Sequence, residues 1–156
     1  MYRLFIAAIV CLFTVQALAQ STQLPTLDTS QQFGDYTLHY SVFNSAFVPA
    51  DIARLHGLTR ARDQVLINIS LTRIDAEGIS SLGLPAQITG TATNLLQQQR
   101  ALEFIEIDEG HAVYYIASLK HTNEESINFT VRAQPEGLAQ PLTAAFSRKL
   151  YVEPKP

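Results

Sequence analysis

Cysteine is almost absent from this sequence. Cys11 is the only one in 156 residues, and it lies inside an apolar run near the start. The rest of the chain therefore has no disulfide, no thiol nucleophile and no thiolate metal ligand. Ile9-Val10-Cys11 lacks the small residue that usually precedes a lipidated cysteine, so the run is not read as a lipoprotein anchor. Basic clusters are missing too: eleven Lys and Arg are scattered among fourteen Asp and Glu. Nucleic acid and anionic membrane surfaces are poor partners for such a chain. There is no strand–helix–strand repeat, which argues against a parallel sheet. The apolar run from Leu4 to Val15 falls short of the roughly 20 residues that a transmembrane helix needs.

That run has another reading. Arg3 is its only charge, and Ala17-Leu18-Ala19 supplies small residues at a cleavage position. Charged start, apolar middle and small residues at the cut make a secretory signal over residues 1–19, cut between Ala19 and Gln20. Cleavage would take Arg3 from the eleven basic residues and nothing from the fourteen acidic ones, leaving a net charge near −4 and no stable membrane anchor. Residues 20–32 are polar and read as a flexible lead-in. One domain is expected over residues 33–153, with residues 154–156 as a frayed tail. A domain of that size can bury about two-thirds of its unfolded surface, enough for a core of its own.

Within the domain, apolar residues alternate. Tyr36, Leu38, Tyr40 and Val42 fall on one face of a first strand, with Thr37, His39 and Ser41 on the other. The same period runs through Val65 to Leu71, Ile127 to Val131 and Leu142 to Val152, where Arg148 interrupts the apolar face. Ala86, Ile88 and Gly90 mark a weaker strand with room for a bulge. One helix is indicated, from Pro49 to His56, with Asp51 near its positive end and Gly57 in a left-handed cap. Two turns cannot stand without packing, so its apolar side must lie on the sheet. Asn94 sits at a strand exit, where its amide satisfies a turn. The count is about seven strands and one short helix after the first strand. The fold class is all-β, an antiparallel immunoglobulin-like β-sandwich, with a small closed barrel as the alternative.

The segment from Ala101 to Leu119 reads as a hairpin around Asp108-Glu109-Gly110. With Gly110 left-handed in a three-residue loop, Ile107 faces His111. That register puts Leu102, Phe104, Tyr114 and Ile116 on the core face, and Ile105, Ile107, Val113, Tyr115 and Leu119 outward. So apolar an outer face has three explanations. The helix covers it, or a one-residue slip exchanges the two faces, or it is an exposed patch that binds a partner.

Several short stretches, taken in order, carry a resemblance. They are Phe33-Gly34-Asp35-Tyr36, His39-Tyr40 and Phe43-Asn44, then Gly90-Thr91-Ala92, Asn94-Leu95-Leu96 and Leu102-Glu103-Phe104, and finally Gln134-Pro135-Glu136-Gly137 and Tyr151-Val152. Together they resemble an uncharacterised family of small secreted proteins of Gram-negative bacteria, known only as a domain of unknown function. The resemblance spans nearly all of the chain that follows the expected cleavage. It implies a periplasmic β-sandwich and brings no catalytic residues with it.

Chemistry is sparse. Gly78-Ile79-Ser80-Ser81-Leu82-Gly83 has the wrong spacing for a serine-hydrolase elbow. The histidines His39, His56, His111 and His121 are far apart, and none has a second ligand at helical spacing, so no metal and no cofactor is expected. Glu106, Asp108 and Glu109 make a solvated acidic turn without calcium-loop spacing. His39, among Thr37 and Ser41, is a surface imidazole that could also meet a ligand. Three functional readings follow. The first is a non-enzymatic module that binds another protein through an apolar sheet face or edge, with Ile105, Ile107, Val113, Tyr115 and His39 as binding residues. The second is a small-ligand carrier with a pocket between the sheets or under the helix. The third, least supported, is a hydrolase.

Overall fold

The computed structural model describes residues 27–155. The expected cleavage site at Ala19 and Gln20 lies outside the described residues. Nine strands form two antiparallel sheets packed face to face. They are β1 (Ser30–Phe33), β2 (Tyr36–Asn44), β3 (Gln64–Arg73), β4 (Ala86–Asn94), β5 (Gln99–Leu102), β6 (Phe104–Asp108), β7 (Val113–Lys120), β8 (Glu125–Pro135) and β9 (Leu142–Leu150). One sheet has the order β1-β2-β3-β7-β6 and the other β5-β4-β8-β9. The fold is the β-sandwich expected from the alternating pattern. The single helix α1 (Ala50–Leu55) follows β2, the first of the strands legible in the sequence.

The alternation buries one face of each strand. Leu38, Ile67, Ile69 and Leu71 from one sheet meet Ile127, Phe129, Val131 and Ala144 from the other, all essentially sealed from water. Each large side chain buried in this way contributes about 1.5–3 kcal/mol. Between the sheets the rings of Tyr40 and Phe146 stack with centroids 4.0 Å apart, and Phe129 lies 5.2 Å from Phe146. Arg148, which breaks the apolar pattern of β9, lies over the edge of this stack, 5.2 Å from the Phe146 ring. It also donates to the carbonyl of Asp28.

Four expectations are corrected. The lead-in is not loose to its end: Ser30–Phe33 pairs with Tyr36–His39 as an edge strand, and Tyr40 donates its backbone N–H to Thr29 at 2.8 Å. Backbone bonds hold this segment, so its polar composition gave no sign of it. The stretch from Gln99 to Asp108 is two strands in different sheets, divided at Glu103. Gly90 is no bulge; a Cβ there would lie 3.1 Å from the Phe104 ring and 3.3 Å from Leu102 Cδ1, the residues on either side of that division.

The fourth correction concerns the hairpin. Gly110 is left-handed as expected, with φ 81°. The loop, however, is the four residues from Glu109 to Ala112, and Asp108 pairs with Val113 and Ile107 with Tyr114. Pairing is displaced by an odd number of residues from the expected register, which turns β7 over relative to β6. Val113, Tyr115 and Leu119 therefore enter the core, while Tyr114 and Ile116 join Ile105 and Ile107 on the outer face.

Two measurements check this packing. An alanine Cβ at Gly83 would sit 2.3 Å from the carbonyl oxygen of Val113. Gly83→Ala should lower unfolding free energy by about 1–3 kcal/mol, as forced overpacking does, read from the denaturant midpoint. Burial also pushes the phenol of Tyr40 above the ordinary tyrosine value, with Asp28 adding to the rise and Arg148 opposing it. Burial raises Tyr115 as well, against the hydrogen bond its oxygen accepts from Ala86 N–H at 2.7 Å. Such phenols ionise more readily in the unfolded chain. Stability should hold below about pH 10 and fall as pH rises beyond it, and Tyr40→Phe should blunt the fall.

Candidate functional site

Between β2 and β3 the chain leaves the sheet as a lobe made of a 3-10 turn (Ser45–Phe47), α1 and an irregular return to Asp63. Polar bonds pin its base. Asn44 donates through Nδ2 to the Arg62 carbonyl at 2.7 Å and accepts at Oδ1 from Ala46 N–H at 2.8 Å. Ser45 Oγ donates to the Ala61 carbonyl at 3.1 Å and accepts from Ala61 N–H at 2.9 Å. Both residues are buried. The helix itself ends where the sequence indicated: Gly57 has φ 65°, Leu58 N–H reaches Ala53 O at 2.7 Å, and Gly57 N–H reaches Arg54 O at 3.4 Å.

The lobe lies over the outer face of β3, β7 and β6, the face that the hairpin correction exposes. Leu66 and Phe43 break the alternation of their strands, and both lie beneath the lobe; Leu66 is fully buried there. Ile107, Tyr114 and Ile116 continue the apolar floor. The lobe does not close onto it. A cleft of about 330 Å³ remains between this floor and Val48, Ile52, His56 and Leu58. Ile52 is 43% exposed and Leu55 74%, so α1 keeps much of its apolar surface in water. On the sheet side the polar residues are Glu109 and Asn68, whose Oδ1 is buried without a hydrogen-bond partner among the described residues.

The site residues expected from the sequence divide into two groups. Ile105, 40% exposed, and Ile107 stand on the outer face, with Ile107 lining the cleft. Val113 and Tyr115 lie in the core and present nothing to a partner. His39 lies farther along the same sheet face, its Nε2 3.0 Å from Thr72 Oγ1. It borders a shallow depression of about 220 Å³ that shares Asn68 with the cleft. Tyr114, Ile116 and Ile52 were not expected at the site. The signal for Tyr114 and Ile116 was present in the unbroken apolar run Val113-Tyr114-Tyr115-Ile116, which marks a strand covered on both faces.

Comparison with known proteins places the chain. The family model described as a domain of unknown function, DUF4426, matches residues 30–153, and the chain belongs to that family. A crystal structure of a DUF4426 family protein from Pseudomonas aeruginosa is similar, with 29% identity and a TM-score of 0.69 over 80% of this chain and 95% of that one. FetP of uropathogenic Escherichia coli, solved after expression in the periplasm, shares the fold at 14% identity, with a TM-score of 0.59 over 80% of this chain and 94% of its own. A copper-bound variant of FetP gives the same identity and TM-score, covering 81% and 91%. No curated protein matches at the sequence level.

The pinned base carries a prediction. Ser45→Ala leaves both Ala61 backbone groups without their partner in a buried place, at a cost of about 1–3 kcal/mol. Hydrogen exchange should speed up across residues 46–62, while the amides of β8 keep their protection.

Proposed function

We propose that this DUF4426 protein is a non-enzymatic periplasmic binding module, and that its site is the cleft between α1 and the outer face of β6 and β7. The occupant is an apolar segment of another protein. One observation carries the reading: a sheet face with the apolar composition of a core is only partly covered by a helix that itself leaves Ile52 and Leu55 in water. Contiguous apolar surface of this kind marks sites of association. Ile105 at the edge extends the floor beyond the cleft. The signal-like start of the sequence, and the periplasmic expression of FetP, support the location. Among the described residues no helix is long and apolar enough to cross a membrane.

The copper that the FetP variant holds finds no matching ligand set among the described residues. Among the described residues no group of three or more His, Cys, Asp or Glu side chains could hold a metal ion. The histidines stand on β2, behind α1, in the β6–β7 loop and after β7.

The test separates binding from folding. Ile105→Lys and Ile52→Lys should each change stability by about 0.5 kcal/mol or less, as partly exposed positions do. Both should abolish capture of the partner that wild-type protein retains from a periplasmic extract. A variant that unfolds at much lower denaturant, or one that still captures the partner, would remove the cleft from consideration.

A further inference from the structure

Strand β6 stands at one edge of the five-stranded sheet, with β7 on one side and no strand of the described residues on the other. The ladder fixes where its backbone groups point. Glu109 N–H reaches Ala112 O at 2.9 Å, and the same register pairs Ile107 with Tyr114 and Ile105 with Ile116. Hydrogen-bonded pairs recur at every second residue, so Ile105 and Ile107 exchange their N–H and C=O groups with β7. The N–H and C=O of Glu106 and Asp108 therefore point away from the sheet. None of these four groups has a hydrogen-bond partner among the described residues.

The pleat sorts the side chains of this edge. Ile105 and Ile107 take the outer face, and Ile107 lines the cleft. Glu106 and Asp108 share the other side with Phe104, but only Phe104 packs on the core, and both carboxylates are exposed. On that side Glu106 borders a groove of about 490 Å³ formed with Pro85, Gln87 and residues 134–138, where Glu136 adds a second carboxylate. No Lys or Arg lines the groove, and neither Glu106 nor Asp108 forms a salt bridge among the described residues. An open edge is a template for another strand. This edge does not accept its own copy. Antiparallel pairing of β6 with β6 over all five residues sets Glu106 against Glu106, and like charges directly opposite destabilise a ladder. It matches a strand that is basic on one face and apolar on the other.

We propose that an extended segment of the partner joins β6 as an antiparallel sixth strand, with Lys or Arg opposite Asp108 and Glu106 and apolar residues opposite Ile107, Ile105 and Phe104. The basic residues exchange backbone hydrogen bonds with Glu106 and Asp108 and extend their charges along the groove side. The apolar residues beside Ile105 and Ile107 continue the outer face past β6. This added strand gives form and charge to the apolar segment proposed for the cleft, and rests on that reading. Backbone pairing supplies affinity, and the alternation supplies selection.

The test titrates the nitrogen-15-labelled intact domain with the capped peptide Lys-Val-Lys-Val-Val. The amides of Glu106 and Asp108 should shift saturably, and binding should weaken as salt rises. Methylating the two lysine backbone nitrogens, which face β6, should weaken binding by about tenfold or more. Methylating the first two valine nitrogens, which face away, should cost far less. Glu in place of both lysines, or Glu106→Gln in the protein, should each weaken binding by about tenfold. The proposal is overturned if both amides stay unmoved at about 5 mM peptide. It is overturned equally if the lysine-methylated or the Glu peptide binds as well as the parent. Ile52→Lys keeps this result apart from that of the cleft. If the peptide fails while Ile52→Lys still abolishes partner capture, the added strand is overturned and the cleft stands. If the peptide binds while Ile52→Lys leaves capture intact, the added strand stands without the cleft.

Discussion

One residue, Glu103, separates two strands that belong to different sheets, and much of the molecule is arranged by that crossing. Leu102 ends β5 in the four-stranded sheet, and Phe104 begins β6 in the five-stranded one. The two have the same parity, so both face inward while Glu103 remains exposed. The chain passes from sheet to sheet without reversing its inward side, as strands that form the corners of sandwiches do. The crossing lies against β4, where even a methyl group would be tight beneath it. Gly90 meets that demand through its missing Cβ, which would crowd Phe104, Leu102 and the carbonyl of Thr130.

Once β6 is delivered to the edge of the five-stranded sheet, its side chains inherit fixed directions. Phe104 points to the core, and Ile105 and Ile107 point out beside Ile116 and Tyr114. This outer face is too apolar for water, and the lobe between β2 and β3 is what the chain provides to cover it. The lobe's attachment is of a different physical kind from that of the core. Asn44 and Ser45 tie its base through polar bonds to Ala61 and Arg62, while within α1 only Ala53 is buried. Few buried apolar contacts and polar anchorage at one end describe a segment that opens at lower free energy than the sheets. An adjustable cover over an apolar floor suits a site that must admit a partner and exclude water when empty.

The sequence revealed what period-2 patterning can carry. Strands covered on one face, such as β2 and β8, were legible from alternation, and so was the sandwich. The Gly57 cap and the role of Asn94 followed from local chemistry; Asn94 Oδ1 accepts from Leu96 and Gln98 N–H, both at 3.0 Å. The outward direction of Ile105 and Ile107 was also correct. Patterning failed in β7, where core on one side and lobe on the other leave no polar face to set the phase. A loop longer by one residue then decided which face was which. It failed in β1 for the opposite reason. Ser30-Gln31-Gln32 has nothing apolar to alternate and is held by its backbone. At the end of β8, Gln134-Pro135-Glu136-Gly137 reads in the sequence as a type I turn with Pro second and Gly fourth, and the turn stands one position later. Gly137, with φ 81°, stands third in a turn closed by Leu138 N–H on Pro135 O at 3.4 Å, and so serves as the left-handed residue of a type II turn.

The filled centre limits where any function can lie. Tyr40, Phe146 and Phe129 occupy the space between the sheets with ring separations of 4.0 and 5.2 Å, leaving no room for a ligand at mid-height. The proposed cleft is therefore peripheral, an apolar face incompletely covered by a helix. It arises where the repeating strand pattern ends, at Phe43 and Leu66, which depart from alternation. A β-sandwich whose interior is saturated by its own side chains can vary in function only at such places. The resemblance to FetP in fold, at 14% identity, is compatible with entirely different side chains there.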